Sequence, residues 1–385
     1  MKLLIIGGTG VLSTAVVNEA LNNNIAVTII NRGHRSHLIP QKVRLLKADI
    51  RDEKRVMTLL NGETFDAVID FICFNEEQIA YSLRLFGAYV AQYIFISTTC
   101  VYNTENEGVL NEDSAKILSV WDYSVNKWKA EEYLRKRAAE QGIPFTIIRP
   151  CVTYDNTRIP YGIVPPYGYH WTIVERIFHN KPIITWDGGK ARWNIMRVED
   201  FAVGVIGLIG NLKAIGEAYN ISGDESYTWK EILDTIGNLL DKNVVTFDIS
   251  SDEYATKYPA KLGEIKARAL NAEIDNKKIK ELIPAFKSRI GLKEGISMTL
   301  EYYKKNGYIN GIDYAFDGET DRVIDYYAKK RGIRISNLCF INYLDNATLN
   351  DRLQYWIAYN KSNPISKVLC WGLYFVKKFR KVSRL

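Results

Sequence analysis

The sequence predicts an α/β fold in which helices cover both faces of a parallel sheet. Short, continuous apolar runs alternate with longer polar and charged runs through the first 150 residues. Strands that are buried on both faces read as uninterrupted apolar runs, and in parallel sheets they alternate with helices. A glycine-rich segment between the first apolar run and the first helical run is a second indication. Together these features predict a doubly wound sheet.

The elements of this sheet follow in order from the apolar runs. Strands are predicted at residues 3–6, 25–30, 43–47, 67–71, 93–97 and 145–148. Helices are predicted from the glycine segment to about residue 23, and at about 52–61, 76–90 and 122–141. Residues 194–198 and 219–222 are predicted as strands that return to the sheet, with a helix at about 200–210 between them.

The glycine segment, Gly-Gly-Thr-Gly-Val-Leu-Ser at residues 7–13, lies at the first strand-to-helix turn. Glycines here let the backbone turn sharply and approach a pyrophosphate, which binds at the helix N-terminus. Ser13 replaces the third glycine of the usual spacing, and its small side chain is compatible with close packing. The alternative is a plain glycine turn, but the flanking strand and helix favour a Rossmann-type dinucleotide site.

Asn31 and Arg32 follow the second predicted strand, where NAD-selective folds commonly place an acid for the ribose 2′-hydroxyl. Asn31 carries no charge, and the guanidinium of Arg32 could pair with a 2′-phosphate. This pattern favours NADP, with NAD as the alternative cofactor. A solvated turn in which Arg32 contacts nothing would give the same sequence.

Tyr123 and Lys127 are four residues apart in a predicted helix, so their side chains lie one turn apart on one face. A free phenol has a pKa of about 10 and is a poor proton carrier at neutral pH. A neighbouring cation favours the phenolate and lowers that pKa. Chance also supplies this spacing on solvated helices, so its meaning depends on the motifs around it.

Composition narrows the class of protein. The chain is 47% hydrophobic and 25% charged, as in soluble globular proteins, and no apolar run approaches the roughly 20 residues that span a bilayer. Because the sequence enters its first strand at once, we expect no targeting segment. Five cysteines and four histidines show no metal or disulfide spacing, so we predict no metal site and a reducing, cytoplasmic location.

Basic residues are concentrated at the C-terminus. Residues 361–385 contain five Lys, two Arg and no acid, which equals the whole net charge of +7. A basic tail on a nearly neutral body suggests a local contact and not nucleic-acid binding. Residues 368–376 and the basic run after them could form an interfacial helix, a peripheral membrane contact at the inner face. The alternative is packing on the body or in an oligomer interface; the expected assembly is a homodimer.

Six motifs, in this order and spacing, resemble the extended short-chain dehydrogenase/reductase family, particularly its nucleotide-sugar epimerases, dehydratases and reductases. They are the glycines at 7–10, Ala-Asp-Ile-Arg-Asp at 48–52, Ser-Thr-Thr-Cys-Val-Tyr at 97–102, Tyr123 with Lys127, Arg-Pro at 149–150, and Asp-Gly-Gly-Lys-Ala-Arg at 187–192 continuing to Val-Glu-Asp at 198–200. The resemblance covers about residues 1–300 and implies an NAD(P)-dependent enzyme.

The resemblance implies roles for the matching residues. Thr98, 25 residues before Tyr123, matches the catalytic Ser/Thr that bonds the substrate oxygen. Tyr123 would be the acid/base at the carbon that undergoes hydride transfer, and Lys127 would hold the nicotinamide ribose. Arg192 matches an arginine that grips a nucleotide-sugar diphosphate. The predicted cofactor contacts are Gly7, Thr9, Gly10, Val11, Leu12, Asn31, Arg32, Asp49, Ile50, Tyr123, Lys127, Pro150 and Val152.

Cys100 and His170 are candidates for proton transfer. In relatives that epimerise beside a keto group, a cysteine two residues after the catalytic Ser/Thr moves a proton, and a second base comes from the loop after the sixth strand. Here that loop contains His170, which would then contact the substrate. A buried, inert cysteine is the alternative. Relatives that eliminate water carry Asp-Glu where this chain has Thr99 and Cys100, so a 4,6-dehydratase is disfavoured.

We therefore predict an NAD(P)-dependent nucleotide-sugar epimerase or ketosugar reductase that uses Thr98, Tyr123 and Lys127. The alternatives are a non-catalytic NAD(P)-binding regulator or RNA-binding atypical member, and a reductase of a non-sugar ketone. Single residues also have structural alternatives: a strand-end threonine at Thr98, a turn residue at Asp49 and a surface arginine at Arg192.

The domain organisation follows from the same elements. At 385 residues the chain is longer than one ordinary domain, so two domains with one continuous interface are expected. Residues 1–154 with 193–223 are predicted as the Rossmann domain, and 155–192 with 224–305 as a smaller, discontinuous α/β substrate domain. Residues 306–385 are predicted as a C-terminal extension that begins with a Gly-, Asp- and Asn-rich linker at 307–319.

Overall fold

The computed structural model describes residues 1–87, 90–105, 108–116, 120–307, 311–336, 338, 347–366 and 368–369. Its strands are β1 (Lys2–Ile6), β2 (Ala26–Asn31), β3 (Arg44–Lys47), β4 (Ala67–Asp70), β5 (Tyr93–Ile96), β6 (Phe145–Pro150), β7 (Val152–Tyr154), β8 (Ile183–Trp186), β9 (Arg192–Arg197), β10 (Ala218–Ile221), β11 (Ser226–Thr228) and β12 (Thr246–Ile249).

Its helices are α1 (Val11–Asn22), α2 (Glu53–Leu60), α3 (Glu76–Phe86), α4 (Asp122–Gln141), α5 (Trp171–Phe178), α6 (Val198–Leu208), α7 (Trp229–Leu240), α8 (Ser251–Lys257), α9 (Leu262–Arg268), α10 (Lys277–Leu282), α11 (Leu292–Lys305), α12 (Tyr314–Lys330) and α13 (Leu349–Tyr359). Short 3₁₀ helices cover Ser36–Leu38, Thr99–Val101, Asp187–Gly189, Leu212–Ala214 and Pro259–Lys261.

Seven strands form a parallel sheet in the order β10-β6-β5-β4-β1-β2-β3. The direction in which strands are added reverses between β1 and β4. From β1 the chain adds β2 and β3 on one side, and from β4 it adds β5, β6 and β10 on the other. The crevice at such a reversal, outside the carboxyl ends of the strands, is where open α/β sheets bind ligands. Ile6 lies beside Asp70 in the register, which brings the glycine segment next to the end of β4.

Both faces of this sheet are buried, as the continuous apolar strands predicted. In β1, Leu3 and Ile5 belong to one apolar cluster, and Leu4 and Ile6 belong to another. Successive residues of a strand point to opposite faces, so the sheet lies between two hydrophobic layers. Full burial of one such side chain stabilises the fold by about 1.5–3 kcal/mol. The predicted doubly wound α/β fold is confirmed.

The chain divides into two compact units. The first contains Met1–Asp155, Ala191–Thr228 and Leu262–Gly295, and the second contains Asn156–Lys190, Trp229–Lys261 and Ile296–Leu385. This division differs from the predicted one at residues 262–295, which the sequence analysis assigned to the substrate domain. Long-range hydrogen bonds tie this segment to the first unit. Ala272 N donates to Arg192 O at 2.8 Å, and Asn276 Nδ2 donates to Ser222 O at 2.8 Å.

The second unit has its own sheet and aromatic core. Strands β8 and β12 pair in parallel as a two-stranded sheet. The ring of Tyr161 meets Trp186 and Trp229 at centroid distances of 5.7 and 6.2 Å, in edge-on geometries that aromatic pairs favour. Tyr161, Trp186 and Trp229 therefore form part of the aromatic core of the second unit.

Two sequence predictions about elements were wrong. The strand near 194–198 does not return to the main sheet: β9 pairs with β7 and β11 in a separate three-stranded sheet, and β10 takes the place beside β6. The expected linker at 307–319 ends in helix α12, while residues 308–310 lie outside the described residues. Asp313 starts this helix, because its side chain accepts a hydrogen bond from Phe316 N at 2.8 Å.

Within the described ranges, no helix combines the length and apolarity needed to cross a membrane. The same part of the chain contains no group of three or more His, Cys, Asp or Glu side chains that could hold a metal ion. The predicted tail helix falls mainly on residues 370–385, which are outside the described residues.

Candidate active site

The glycine segment after β1 forms a loop with strict space requirements. Gly7 and Gly8 have φ angles of +109° and +82°, and a Cβ atom on Gly8 would lie 2.7 Å from the Ile29 side chain. Ser13 closes the loop onto α1, because its Oγ accepts from Gly10 N at 2.9 Å and donates to Gly10 O at 3.3 Å. The serine at the position of the third glycine therefore caps the helix.

Asn31, at the end of β2, stabilises this loop. Its Nδ2 donates to Gly7 O at 2.7 Å, and its Oδ1 accepts from Gly33 N at 2.8 Å. Both ends of the amide are therefore engaged with the backbone of two turns. The adjacent Arg32 is exposed, so of the two residues it is the one that offers a charge to a ligand.

A cavity of about 760 Å³ opens beside the loop. Six predicted cofactor residues line it: Gly7, Thr9, Asn31, Arg32, Asp49 and Ile50. The wall also contains residues for which the sequence predicted no role, among them Asp70, Ile72, Cys73, Tyr81, Ser82 and Arg84. Among the described residues, the lining does not include the remaining predicted contacts Gly10, Val11, Leu12, Tyr123, Lys127, Pro150 and Val152. Val11 and Leu12 begin α1, Pro150 ends β6 and Val152 begins β7.

Asp49 combines a turn contact with a place in the cavity wall. Arg51 Nη2 lies 2.7 Å from Asp49 Oδ2, and Arg51 Nε lies 3.0 Å from Asp49 Oδ1. The hydrogen bonds from Arg51 lower the pKa of the Asp49 carboxyl to about 2, so it is an anion at neutral pH. The turn interpretation and the binding interpretation of this residue are therefore compatible.

Lys127 lies on the buried face of α4. Its ammonium donates to Cys73 O at 2.6 Å and to Ile96 O at 2.7 Å, and it lies 4.5 Å from the Phe74 ring centroid. Burial lowers the pKa of Lys127 to about 8. Tyr123, one turn earlier, is half-buried.

Thr98 and Cys100 lie on the turn that follows β5. Thr98 is 6% exposed, and its hydroxyl accepts a hydrogen bond from Cys100 N at 3.2 Å. Helix α4 packs against this turn, which brings the elements of Thr98 and Tyr123 together. Burial raises the pKa of the Cys100 thiol, although Arg268 and the Thr98 hydroxyl act in the opposite direction. Cys100 is therefore a neutral thiol at pH 7.

Arg192 begins β9 and is half-buried, so it is not a free surface arginine. Its Nη2 donates to Ser226 O at 2.6 Å and its Nε donates to Ser226 Oγ at 3.2 Å. Its Nε also lies 3.9 Å from a Glu273 carboxylate oxygen. These contacts fix the direction of the guanidinium.

Arg268, at the end of α9, is a residue that sequence reasoning missed. Its guanidinium carbon lies 5.8 Å from the Trp121 ring centroid and 5.3 Å from that of Trp193. The Trp121 ring is 5.1 Å from the ring of Tyr123, so this cluster adjoins the predicted acid/base. The sequence carried no signal for it, because 145 residues separate Arg268 from Tyr123 and no motif includes both.

His170 belongs to the second unit and is buried. Its Nδ1 accepts a hydrogen bond from Ile159 N at 2.9 Å. Burial, with a smaller contribution from Arg158, lowers the pKa of His170 to about 3, so the ring is neutral. Because the acceptor nitrogen is already engaged with the backbone, these contacts favour a structural role over the expected base or substrate contact.

Comparison with known families identifies the group to which this architecture belongs. A family model described as the NAD dependent epimerase/dehydratase family matches residues 3–222, which is more than half of the chain. The chain belongs to this family. The predicted recognition is confirmed, as is the prediction of an enzyme of the extended short-chain dehydrogenase/reductase type. The family description names NAD, so the preference for NADP stays a prediction.

Two known relatives illustrate the similarity in sequence. A 2′-dehydrokanamycin reductase of Streptomyces kanamyceticus is 22% identical over 240 residues, which cover 62% of this chain and 67% of that protein. The chloroplast stem-loop binding protein of 41 kDa b of Arabidopsis thaliana is 26% identical over 242 residues, which cover 59% of this chain and 60% of that protein. The chain thus spans about two thirds or less of the length of these relatives.

A solved structure, the UDP-glucuronic acid 4-epimerase of Bacillus cereus in complex with UDP-glucuronic acid and NAD, superposes with a TM-score of 0.66. It is 20% identical to this chain, and the match covers 80% of this chain and 100% of that chain. At this identity the likeness concerns the fold. The roles of individual residues stay predictions.

Proposed function

We propose that this chain is an NAD(P)-dependent nucleotide-sugar epimerase or ketosugar reductase. One observation carries the proposal: the Lys127 ammonium is buried and held by two carbonyls, one turn after Tyr123 on α4. A fixed cation beside a phenol favours the phenolate. Thr98 adds a buried hydroxyl on the turn against which α4 packs.

The residues beside the glycine loop fit a dinucleotide. The space at Gly8 excludes a Cβ atom, so the bare backbone can approach a pyrophosphate at the start of α1. Arg32, Asp49 and Ile50 in the cavity wall would contact the adenosine half. An ammonium has three donors, and two of those on Lys127 point at carbonyls, which leaves one for a ribose hydroxyl. When bound, NAD(P) supplies hydride transfer, which side chains alone cannot perform.

Each catalytic side chain then has one task. Tyr123 takes the proton from a sugar hydroxyl as the carbon bearing that hydroxyl is oxidised. It returns the proton when the same carbon is reduced. Thr98 donates a hydrogen bond to the same oxygen and orients it. Lys127 stabilises the phenolate, so that proton transfer occurs near neutral pH. An epimerase carries out oxidation and reduction while the sugar stays bound, whereas a reductase performs the reduction alone.

Arg192 and Cys100 would extend the site toward the substrate. Arg192 would contact the diphosphate with a guanidinium that Ser226 already orients, which reduces the entropy lost on binding. Cys100 would donate or relay a proton as a neutral thiol beside Thr98, while a buried, inert cysteine stays the alternative. His170 has no part in this proposal.

The relatives support different activities: reduction, epimerisation and non-catalytic binding. The reductase from Streptomyces kanamyceticus favours reduction of a ketone, sugar or non-sugar, and the epimerase structure favours epimerisation. The stem-loop binding protein favours a second candidate, a non-catalytic NAD(P)- or RNA-binding member. Mass spectrometry of nucleotides that copurify with the protein separates the first two. A retained cofactor supports an epimerase that regenerates it, and an empty site supports a reductase that exchanges it.

Replacing Tyr123 with Phe tests the proposal. Loss of the acid/base should lower turnover of nucleotide-sugars by about 100-fold or more, while binding of NADH is retained. Tyr133→Phe is the control, because Tyr133 lies on the same helix with its hydroxyl bound by Arg137 at 3.1 Å. Unchanged turnover in Tyr123→Phe would remove the proposed acid/base. No turnover by the unaltered protein with any nucleotide-sugar or ketone would favour the non-catalytic candidate.

A further inference from the structure

Asp70 is a buried carboxylate that the proposed chemistry leaves unused. It ends β4, is 2% exposed and contributes to the cavity wall. Its Oδ1 accepts from Ile72 N at 2.9 Å and from Cys73 N at 3.0 Å. Its Oδ2 accepts from the Ser82 hydroxyl at 2.7 Å. A carboxylate is stable in such a place only when donors satisfy it, and this one is surrounded by them.

Tyr93 completes the set of donors. Its hydroxyl lies 3.0 Å from Asp70 Oδ2 and 2.8 Å from Ser82 Oγ, and both hydroxyl-bearing residues are buried. The donors come from the turn after β4, from α3 and from β5. A single carboxylate therefore connects three elements at the carboxyl edge of the sheet, beside the glycine loop.

The turn that Asp70 organises also holds Lys127. Cys73 donates its N–H to Asp70, and its carbonyl oxygen accepts from Lys127 Nζ at 2.6 Å. The second carbonyl, that of Ile96, lies at the end of β5. Displacing the turn by about 1 Å would carry the Cys73 oxygen out of hydrogen-bond range. The position of the ammonium thus depends on a carboxylate that it does not touch.

The charged groups around the Lys127 ammonium also indicate a role for Asp70. The titratable groups that face Lys127 are Asp70 from β4, the Cys73 thiol from the turn and Glu131 from α4 itself. Burial raises the pKa of Cys73, so this thiol is neutral. Glu131 forms an ion pair with Arg149 at 2.5 Å. Because Cys73 is neutral and Glu131 is paired with Arg149, Asp70 is the one of these three groups whose ionised form would act mainly on Lys127.

We propose that Asp70 is a positioning residue, which holds the Lys127 ammonium in place through the turn after β4 and supplies the negative charge that stabilises it. The inference rests on the proposed role of Lys127 in catalysis. The dependence of the Lys127 ammonium on the Asp70 carboxylate can, however, be measured without substrate or cofactor.

The test follows the ε-carbon resonance of Lys127 by NMR during a pH titration of protein labelled with ¹³C at the lysine ε-carbons. Lys127→Arg identifies the resonance. In the unaltered protein it should titrate near pH 8. In Asp70→Asn the charge is lost and the turn loosens, so the ammonium should lose its proton at lower pH. The alkaline limb of NADH binding should move in the same direction.

Asp200→Asn is the matched control. Asp200 is also a buried carboxylate of the first unit, and it accepts from Arg289 N at 2.8 Å and from Ile290 N at 3.0 Å. It should lose stability without moving the Lys127 titration. An unchanged titration in Asp70→Asn, or an equal shift in both variants, would overturn the proposal.

A measurement on the unaltered protein covers the case in which Asp70→Asn does not fold. Burial raises the pKa of Asp70, so the Lys127 resonance should show a second inflection above the ordinary aspartate range. A resonance with no such inflection contradicts the coupling. If turnover of nucleotide-sugars proves absent, the proposed function fails, but the lysine titration still decides this inference.

Discussion

At the scale of single residues, the structure separates two neighbours that the sequence treated together. Asn31 uses its amide to hold Gly7 and Gly33, which explains an uncharged residue there without reference to the cofactor. Arg32 is exposed in the cavity wall, where a 2′-phosphate would be attracted to it. The family establishes NAD binding, so the preference for NADP is our proposal and depends on Arg32.

Arg32→Ala tests the cofactor preference. Loss of a charge-assisted hydrogen bond of about 1.5–3 kcal/mol should weaken NADPH by roughly 10–100-fold. NADH should lose little, because its ribose carries no 2′-phosphate. Fluorescence titration with each reduced cofactor measures both constants. Arg44→Ala, which removes an exposed arginine paired with Glu63 at 2.7 Å, is the control. Equal losses for NADPH and NADH would contradict the NADP proposal.

At the scale of elements, the strand-to-helix turn after β1 shows how local sequence and packing act together. Positive φ angles at Gly7 and Gly8 could be expected from glycines alone. The contact of Gly8 with Ile29 is a property of the neighbouring strand β2, which pairs with β1 residue by residue. The loop is therefore restricted by backbone angle and by space at once.

Gly8→Ala separates these two restrictions when it is compared with Gly62→Ala. Both glycines have positive φ angles, +82° and +74°, but a Cβ atom on Gly62 would meet nothing within 4 Å. In each variant the left-handed backbone of the new alanine should lower the free energy of unfolding by about 1–2 kcal/mol. Only Gly8→Ala should also weaken NADH binding, by about tenfold or more, since the loop must move. Equal affinity in both variants would contradict a close approach of cofactor to this loop.

At the scale of the whole molecule, each unit is assembled from distant parts of the chain, and the last segment is part of the second unit. Arg176 and Lys181 are buried with Asp317 and Asp321 of α12: Lys181 Nζ lies 2.7 Å from Asp317, and Arg176 also bonds to both aspartates. Tyr355 of α13 donates to Asp321 at 2.6 Å. Residues predicted as a C-terminal extension therefore help to build this unit.

Asp317→Ala should destabilise the protein strongly. Removing one partner from a buried ion-pair network leaves Arg176 and Lys181 with an uncompensated buried charge, at a cost of about 3–5 kcal/mol. Thermal and urea unfolding measure the change. Asp234→Ala, which breaks an exposed pair with Lys230 on α7, should change stability by at most about 0.5 kcal/mol. Similar values for both variants would mean that the network contributes little.

Three whole-molecule properties stay predictions: a homodimer, a cytoplasmic location and a peripheral membrane contact of the basic tail. The tail residues that would form this contact lie largely outside the described residues. Binding to vesicles containing anionic lipid, compared with neutral vesicles, addresses the membrane contact.

The sequence by itself determined the alternation of strands and helices, the glycine turn and the Tyr123–Lys127 spacing, because these depend on residues close together in the chain. It could not show that β9 leaves the main sheet, that residues 262–295 join the first unit or that Asp70 supports Lys127 through a turn. These outcomes depend on hydrogen bonds and burial between segments that are distant in sequence, such as Lys127 with Cys73, 54 residues away. Only the folded chain brings those partners within bonding distance, and their energies depend on that burial.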